Sequence, residues 1–358
     1  MSGIAPREPR VKNRLVVAHK PSDQVVALLT FGAVALCFPA FFGGDSYTMS
    51  IATEAVIYAL ITVTLNLLIG FGGQISLGQA GLVAVGGYAG ALIGAHLGGF
   101  PFPLEVLAAG LATAVVGFFL GLPTGRLRGH YLAIATLGFG LIVPQVATNW
   151  SSLTGARDGL IVNAPQIGSI TFGGPVSLYY ATLAVAAVAV AALLAILQSS
   201  SGRAFAAVRD SEHAAAAMGV NVWRTKVTLF TTSAFFAGVA GDLFVHLEGI
   251  VSPDSFPFSL SLFFLAAVVV GGLASIWGSI AGGILLTIVG AKTSGSGGLE
   301  PVIIGGTVVL LLLLSPGGLA ELPRRLLSGI RGLSLRELSL GRRRISFRGS
   351  IRKVRNRA

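Results

Sequence analysis

A single cysteine, Cys37, stands in the whole chain. No internal disulfide can form, and no zinc site can be built on cysteines. Charge is scarce as well. Asp, Glu, Lys and Arg together make up 11% of 358 residues, where a soluble domain carries about 25%. So few charges cannot coat a water-facing surface of this size, which points to an integral membrane protein. What is abundant agrees with that. Apolar residues make up 53% of the chain, and the mean hydropathy is +0.81. Glycine, at 49 residues, is more frequent in membrane helices than in soluble ones. The net charge of +11 would suggest a nucleic-acid partner in a soluble protein. Here it reads as a topology signal, provided the charges gather on one side.

A spanning helix needs about 20 mostly apolar residues. Ten stretches qualify: 24–42, 50–69, 75–97, 104–124, 131–149, 176–198, 227–248, 259–273, 277–292 and 300–315. The eighth and ninth are short and close together, so they could form one broken unit. The first follows a basic segment and no small-residue cleavage site follows it, so it is expected to be a retained anchor. With the N-terminus in the cytoplasm, all but two of the 25 Lys and Arg fall inside, the exceptions being Arg157 and Lys292. The positive-inside rule expects that asymmetry. The sequence thus predicts an all-α polytopic membrane protein of about ten transmembrane helices, with N- and C-termini cytoplasmic. It divides into a basic N-terminus (1–23), a membrane domain (24–315) and a basic tail (316–358). The tail is expected to stay solvated or to hug lipid headgroups. Nucleic acid is not expected as a partner.

The stretch GFGGQISLGQAGLVAVGGYAGALIGAHLGG, residues 70–99, holds two patterns. From Gly78, glycines recur at multiples of four: Gly86, Gly90, Gly94 and Gly98. Small residues at that spacing let helix backbones approach closely, so the stripe predicts helix packing. The first half, GFGGQISLGQ, is different. Each of Gly70, Gly72 and Gly73 costs a continuous helix about 1 kcal/mol relative to Ala. Two readings fit: an ordinary cytoplasmic turn, or an interrupted helix that faces protein or a water-filled cavity, as in many transporters. No G-x-x-x-x-G-K-[ST] occurs, so no ATP site is expected here.

Residues 199–226 are the longest polar interruption on the predicted inside. Their alanines favour helix. Ser211 is a possible N-cap and Gly219 a possible stop. One or two short helices at the cytoplasmic face are expected, suited to a groove on another protein.

The stretch GRAFAAVRDSEHAAAAMGVNVWRTK resembles the cytoplasmic coupling loop of ABC importer permeases, in which Glu-x-Ala-Ala is followed by Gly seven residues after the Glu. Glu212, Ala214, Ala215 and Gly219 hold that spacing. The segment GFGGQISLGQAGLVAVGGYAGA looks like the signature of LivM-type branched-chain amino-acid permeases. So do SLTGARDGL at 152–160 and VSPDSFPFSLSLFFLAAVVVGGLASIWGSIAGG at 251–283. Gln79 stands where many relatives carry His, and Ala156-Arg157 interrupts a more usual glycine-rich run.

The resemblance implies an ABC importer permease fold and a heteromeric importer. Its partners would be a second homologous permease subunit, two ABC ATPase subunits and an extracytoplasmic solute-binding protein. This chain would carry no cofactor, and ATP and Mg would sit on the partner subunits. Branched-chain or other hydrophobic amino acids are the expected solutes. Related permeases carry urea, short amides or aromatic acids. Arg203, Arg209, Asp210, Glu212, Ala215 and Gly219 would engage the ATPase, the charged ones at the rim and the small ones by close approach. Gln74, Ser76, Gln79 and Asn66 are candidates to line the solute path. In the outer loop 150–175, Thr154, Arg157 and Asp158 are candidates for docking the binding protein.

Ionisable groups within spans are functional candidates by default. Asp242, His246 and Glu248 fall near the outer end of the seventh span, and Glu54 near another outer end. No metal cluster and no nucleophile–base set is legible, so no catalytic residue is expected. An ion-coupled secondary transporter is the competing class, but the docking island argues against it.

Overall fold

The computed structural model describes residues 32, 35–40, 43–96, 100–125, 130–168, 170–295, 298–315 and 317–321. The basic N-terminus, 12 of the 19 residues of the stretch 24–42 and the tail beyond 321 lie outside them, as does Gly98.

Twelve helices cover most of the described chain. They are α1 Ser46–Asn66, α2 Gln79–His96, α3 Phe102–Gly121, α4 His130–Asn149, α5 Ser151–Thr154 and α6 Pro175–Gln198. After them come α7 Ser200–Asp210, α8 Glu212–Ala217, α9 Val222–Glu248, α10 Phe258–Gly271, α11 Ile276–Thr293 and α12 Glu300–Leu314. Among the described residues, seven helical stretches are long and apolar enough to cross a membrane. Helix α2 falls short because Gln79 and His96 at its ends, with five glycines between them, lower the hydropathy of its 18 residues, and α12 has only 15 residues. Seven of the ten expected spans are thus described at membrane length; the first lies largely outside the described residues.

Burial ranks the helices. Over its most apolar stretch α9 is 78% buried, and α1 with its extension to Phe71 is 72% buried. Helices α4 and α6 are 22% buried. So α1 and α9 form the centre, α9 packed against α2 and α3 and α1 against α11 and α6, while α4 and α6 keep apolar faces for lipid or another subunit.

Local chemistry sets the ends of the central helices. The Asp45 carboxylate accepts from Tyr47 N to start α1, and its pKa is held below the ordinary value, first by the Thr48 hydroxyl. The Asn221 amide oxygen accepts from Arg224 N to start α9. Gly249, at φ 72, ends α9 in the left-handed region, where glycine has no Cβ penalty. Between α10 and α11 the chain reverses over Gly272–Ser275, with Gly272 at φ 109 and Ala274 at φ 58. The two stretches expected to form one broken unit are thus two helices meeting at a tight corner, where Gly271 and Gly278 lie in backbone contact.

Helix direction places the loops. Helices α6 and α9 flank α7 and α8 at one end of the bundle. The segment 150–174 lies at the other end, where Leu160–Ile161 pairs antiparallel with Ile250–Val251. A second two-stranded ladder joins Gln166–Ile167 to Ile170–Thr171.

Glycine decides how closely α2 meets α9. A Cβ at Gly86 would overlap the backbone of Gly238, and one at Gly90 would overlap the Asp242 carboxylate. At Gly94 an added Cβ would stand 3.1 Å from Glu105 Oε1. This face of α2 therefore has no room for any side chain.

Candidate translocation and coupling site

Helix α1 unwinds through a π turn, Leu67–Phe71. Gly72 N, Gly73 N and Gln74 N bond back to Leu67 O, Ile69 O and Leu68 O. Gly73, at φ 65, turns the chain, which then runs extended into the bundle. Gln74 and Ser76 are buried while Ile75 between them is 41% exposed, the alternation of an extended strand. Leu77 N donates to Thr136 Oγ1 at 3.0 Å. Ala80 N, at the start of α2, donates to Ser261 Oγ at 2.9 Å. Side-chain hydroxyls of α4 and α10 thus replace the helical bonds that the break removed, as an interrupted membrane helix requires. Of the two readings of 70–79, the one seen is an unwound segment held between helices.

The polar side chains of that segment are left open. Among the described residues, Gln74 Nε2 and Oε1, Ser76 Oγ and Gln79 Oε1 are buried without a hydrogen-bond partner. Only Gln79 Nε2 is engaged, donating to Thr64 Oγ1 at 2.7 Å. A buried polar group without a partner costs roughly 1–3 kcal/mol. Four such atoms lie together between Gln74 and Gln79, an unusual concentration for a buried segment.

Asn66 differs. Its Nδ2 donates to Ser275 O at 3.0 Å and to Ser279 Oγ, and its Oδ1 accepts from Ala274 N at 3.0 Å. The amide fastens the end of α1 to the α10–α11 corner. Asn66→Ala strands Ala274 N and is expected to cost about 1–3 kcal/mol. A lowered melting temperature with an unchanged KM for the transported solute would mark this clamp. An altered KM with unchanged melting would place Asn66 on the path instead.

Helices α7 and α8 are built by their caps. Ser199 Oγ accepts from Ser201 N, and Ser211 Oγ accepts from Ala214 N at 3.2 Å. Each residue expected to meet an ATPase has a place here. Arg209 Nη1 donates to Gly70 O at 2.9 Å, while its Nε and Nη2 bond Asp210 Oδ1 at 3.0 and 2.9 Å. An added Cβ at Gly73 would come within 2.8 Å of Arg209 Cγ. Arg209 therefore ties α7 to the unwound segment. Glu212 Oε1 accepts from Lys226 Nζ at 2.7 Å, holding α8 to α9, and Arg203 Nη1 reaches Gln198 O at 3.3 Å.

Ala215 and Gly219 each have a place within this chain. Ala215 is 3% exposed and faces its own chain. Gly219 has nothing within 4 Å of an added Cβ, and its φ of 84 makes it the left-handed terminator after α8. The exposed surface of α8 is His213, Ala214, Ala216 and Ala217, followed by Met218 at 84% exposure. Sequence reasoning passed over Met218, although an apolar residue at the tip of a polar island was a signal for it.

At the opposite end, Arg157 and Asp158 are exposed. Thr154 is buried, its Oγ1 lying 2.6 Å from Ala147 O and 2.8 Å from Trp150 O, which share its one hydrogen. It shapes the loop from inside. Beneath the loop lies a cavity of about 60 Å³ lined by Ala91, Gly94, Phe100, Glu105, Asn163 and His246. Glu105, Asp242 and His246 each offer a ligand atom, all within 4.8 Å of one another. This cluster was invisible along the chain, since Glu105 is far from the other two and opens an apolar span. Glu248 is exposed and lies outside the cluster.

A many-span helical bundle, broken beside buried open polar groups and tied to a pair of short helices at one end, is a membrane transport protein. A family model described as "Branched-chain amino acid transport system / permease component" matches residues 47–315. The chain belongs to this family. It is 34% identical over 325 residues to the high-affinity branched-chain amino acid transport system permease protein LivM of Salmonella typhimurium, covering 84% of this chain and 76% of the relative. Identity to the LivM protein of Escherichia coli is 36% over 301 residues, covering 77% and 71%. The autoinducer 2 import system permease protein LsrC of an Enterobacter species is 28% identical over 280 residues, covering 75% and 74%. The chain is thus a permease subunit of a transport system, a multi-pass protein of the bacterial cytoplasmic membrane and not an enzyme.

Proposed function

We propose that this chain is a membrane-spanning subunit of an ATP-driven importer for branched-chain or other hydrophobic amino acids. The observation that carries the mechanism is the joining of two features. A segment with four buried, unpartnered polar atoms is fastened by Arg209 to the short helices at one end of the bundle.

In this reading α7 and α8 lie on the cytoplasmic side and seat against one of two ATPase subunits, with Met218 as apolar anchor and Asp210 and Arg203 at the rim. ATP and its Mg would be bound and hydrolysed there, on other chains. A second homologous permease subunit would cover the solute path, and a binding protein would dock at Arg157 and Asp158 on the far side. Movement of α7 would pull on Gly70 and Gly73. A segment without regular helical bonds yields to such a pull more readily than a helix does. Gln74, Ser76 and Gln79 would then change what they face. Their neutral amide and hydroxyl groups suit a zwitterion that must leave as readily as it enters, since strong ion pairing would hold it.

Resemblance to LivM proteins supports amino acids as the solute. Resemblance to an autoinducer 2 permease shows that similar chains serve other solutes, so urea, short amides and aromatic acids are the competitors to test. The assembled transporter, reconstituted in vesicles with its binding protein and internal ATP, should take up radiolabelled leucine. Gln74→Ala should lower that uptake about tenfold by removing both open amide atoms, an effect equivalent to 1.4 kcal/mol. Uptake of leucine driven by an ion gradient without ATP would overturn the proposal. Unchanged kinetics in Gln74→Ala and Gln79→Ala together would remove the segment from the path.

A further inference from the structure

We infer that Glu105, Asp242 and His246 form a divalent-cation site, matched to zinc, under the loop 150–174. They come from two helices that no sequence motif joins, Glu105 from the first turn of α3 and the others one turn apart near the end of α9. Relative exposure is 5%, 0% and 8%. Two carboxylates so deeply buried must be neutralised, by protons or by a compensating positive charge.

The imidazole shows what kind of compensation fits. His246 Nδ1 lies 3.1 Å from Asn163 O. A carbonyl oxygen only accepts, so Nδ1 carries the hydrogen of that contact. In the neutral ring this leaves the lone pair of Nε2 aimed at the acids, 3.3 Å from Glu105 Oε1 and 3.9 Å from Asp242 Oδ1. Despite that closeness, His246 Nε2, Glu105 Oε1 and both Asp242 oxygens have no hydrogen-bond partner. Three electron-rich groups turned on one another without hydrogen bonds are the arrangement a cation resolves. A backbone carbonyl orienting the distal ring nitrogen is also the usual second shell of a metal-bound histidine.

The donor set fits zinc. Imidazole with carboxylates is a zinc ligand set, with bonds of about 2.0–2.2 Å in tetrahedral geometry. That geometry separates ligand atoms by about 3.4 Å, close to the His246–Glu105 distance of 3.3 Å. The three ligand atoms, now spread over 4.8 Å, reach that spacing when both carboxylates turn inward, which also closes the His246–Asp242 gap of 3.9 Å. A doubly charged cation cancels the two carboxylates. The adjoining cavity, which Glu105 and His246 themselves line, has room for a water as fourth ligand. Glycine at positions 90 and 94 of α2 makes the space, since a Cβ at Gly90 would overlap Asp242 and one at Gly94 would press on Glu105.

The test uses the full-length chain purified in detergent, stripped with a chelator and titrated with zinc alone. Elemental analysis should find about one zinc per chain, and X-ray absorption should report nitrogen and oxygen ligands at about 2.0–2.2 Å. His246→Gln and, separately, Glu105→Gln should each weaken zinc binding at least tenfold while the exposed Glu248→Gln leaves it unchanged. Monodispersity of each variant shows that it has folded, and either of the first two suffices. A wild-type chain that retains no zinc, or folded variants that bind it as tightly as wild type, would overturn the inference.

Discussion

Arg209→Ala should uncouple the transporter: solute uptake falls at least tenfold while ATP hydrolysis by the assembled complex persists. The arginine spans two parts of the structure. One guanidinium nitrogen donates to Gly70 O at 2.9 Å and two others grip Asp210. Its aliphatic stem lies against Gly73. A hydrogen bond from a charged group contributes about 1.5–3 kcal/mol. Loss of that much coupling energy corresponds to a factor of roughly 10–100. Arg209→Lys is the informative comparison. Lysine keeps the charge but lacks the planar fork, so it cannot hold Gly70 and Asp210 at once, and its uptake should fall between the two. The measurement is uptake and phosphate release from the same vesicles. Equal loss of both activities would mean that Arg209 serves ATPase docking alone. Full uptake in Arg209→Ala would show that α7 does not drive the segment 70–79.

What could be read along the chain was whatever depends on near neighbours. Apolar runs placed the seven membrane-length helices, and Ser211 announced the start of α8 because an N-cap needs only the amides just after it. Glycine at every fourth position announced a close helix contact without naming the partner. The partner, α9, comes from far along the chain, and so does the reason Gly90 has no side chain, which is the Asp242 carboxylate above it. Gln74, Ser76 and Gln79 were chosen for polarity in an apolar setting. Only the fold shows that four of their five polar side-chain atoms lack partners while those of Asn66, chosen on the same grounds, are occupied. Ala215 and Gly219 were both expected to allow close approach, Gly219 also to stop a helix. One turns inward and the other ends a helix at positive φ, a difference that resides in backbone geometry.

Gly86→Val should abolish the assembled fold. The Cβ it adds would fall on the Cα, C and O of Gly238, atoms of a buried central helix that cannot swing aside as a flexible side chain can. Helix α2 would have to lift away from α9 along its length. The same displacement would open the contact of Gly241 with Val83 and Gly87 and move Gly90 from under Asp242. Overpacking within a core costs about 1–3 kcal/mol and occasionally more. Here the obstruction is backbone on both sides, so a loss above about 3 kcal/mol is expected, enough to unfold a marginally stable chain. Gly306→Ala supplies the contrast. That glycine also lies in a helix, but nothing comes within 4 Å of an added Cβ, and alanine improves helix propensity by about 1 kcal/mol. It should melt no lower than wild type. Thermal unfolding and the yield of monodisperse protein measure both. If Gly86→Val melted like the wild type, α2 and α9 could not be in contact at this position. The close approach that positions Glu105, Asp242 and His246 beside one another would then fail with it.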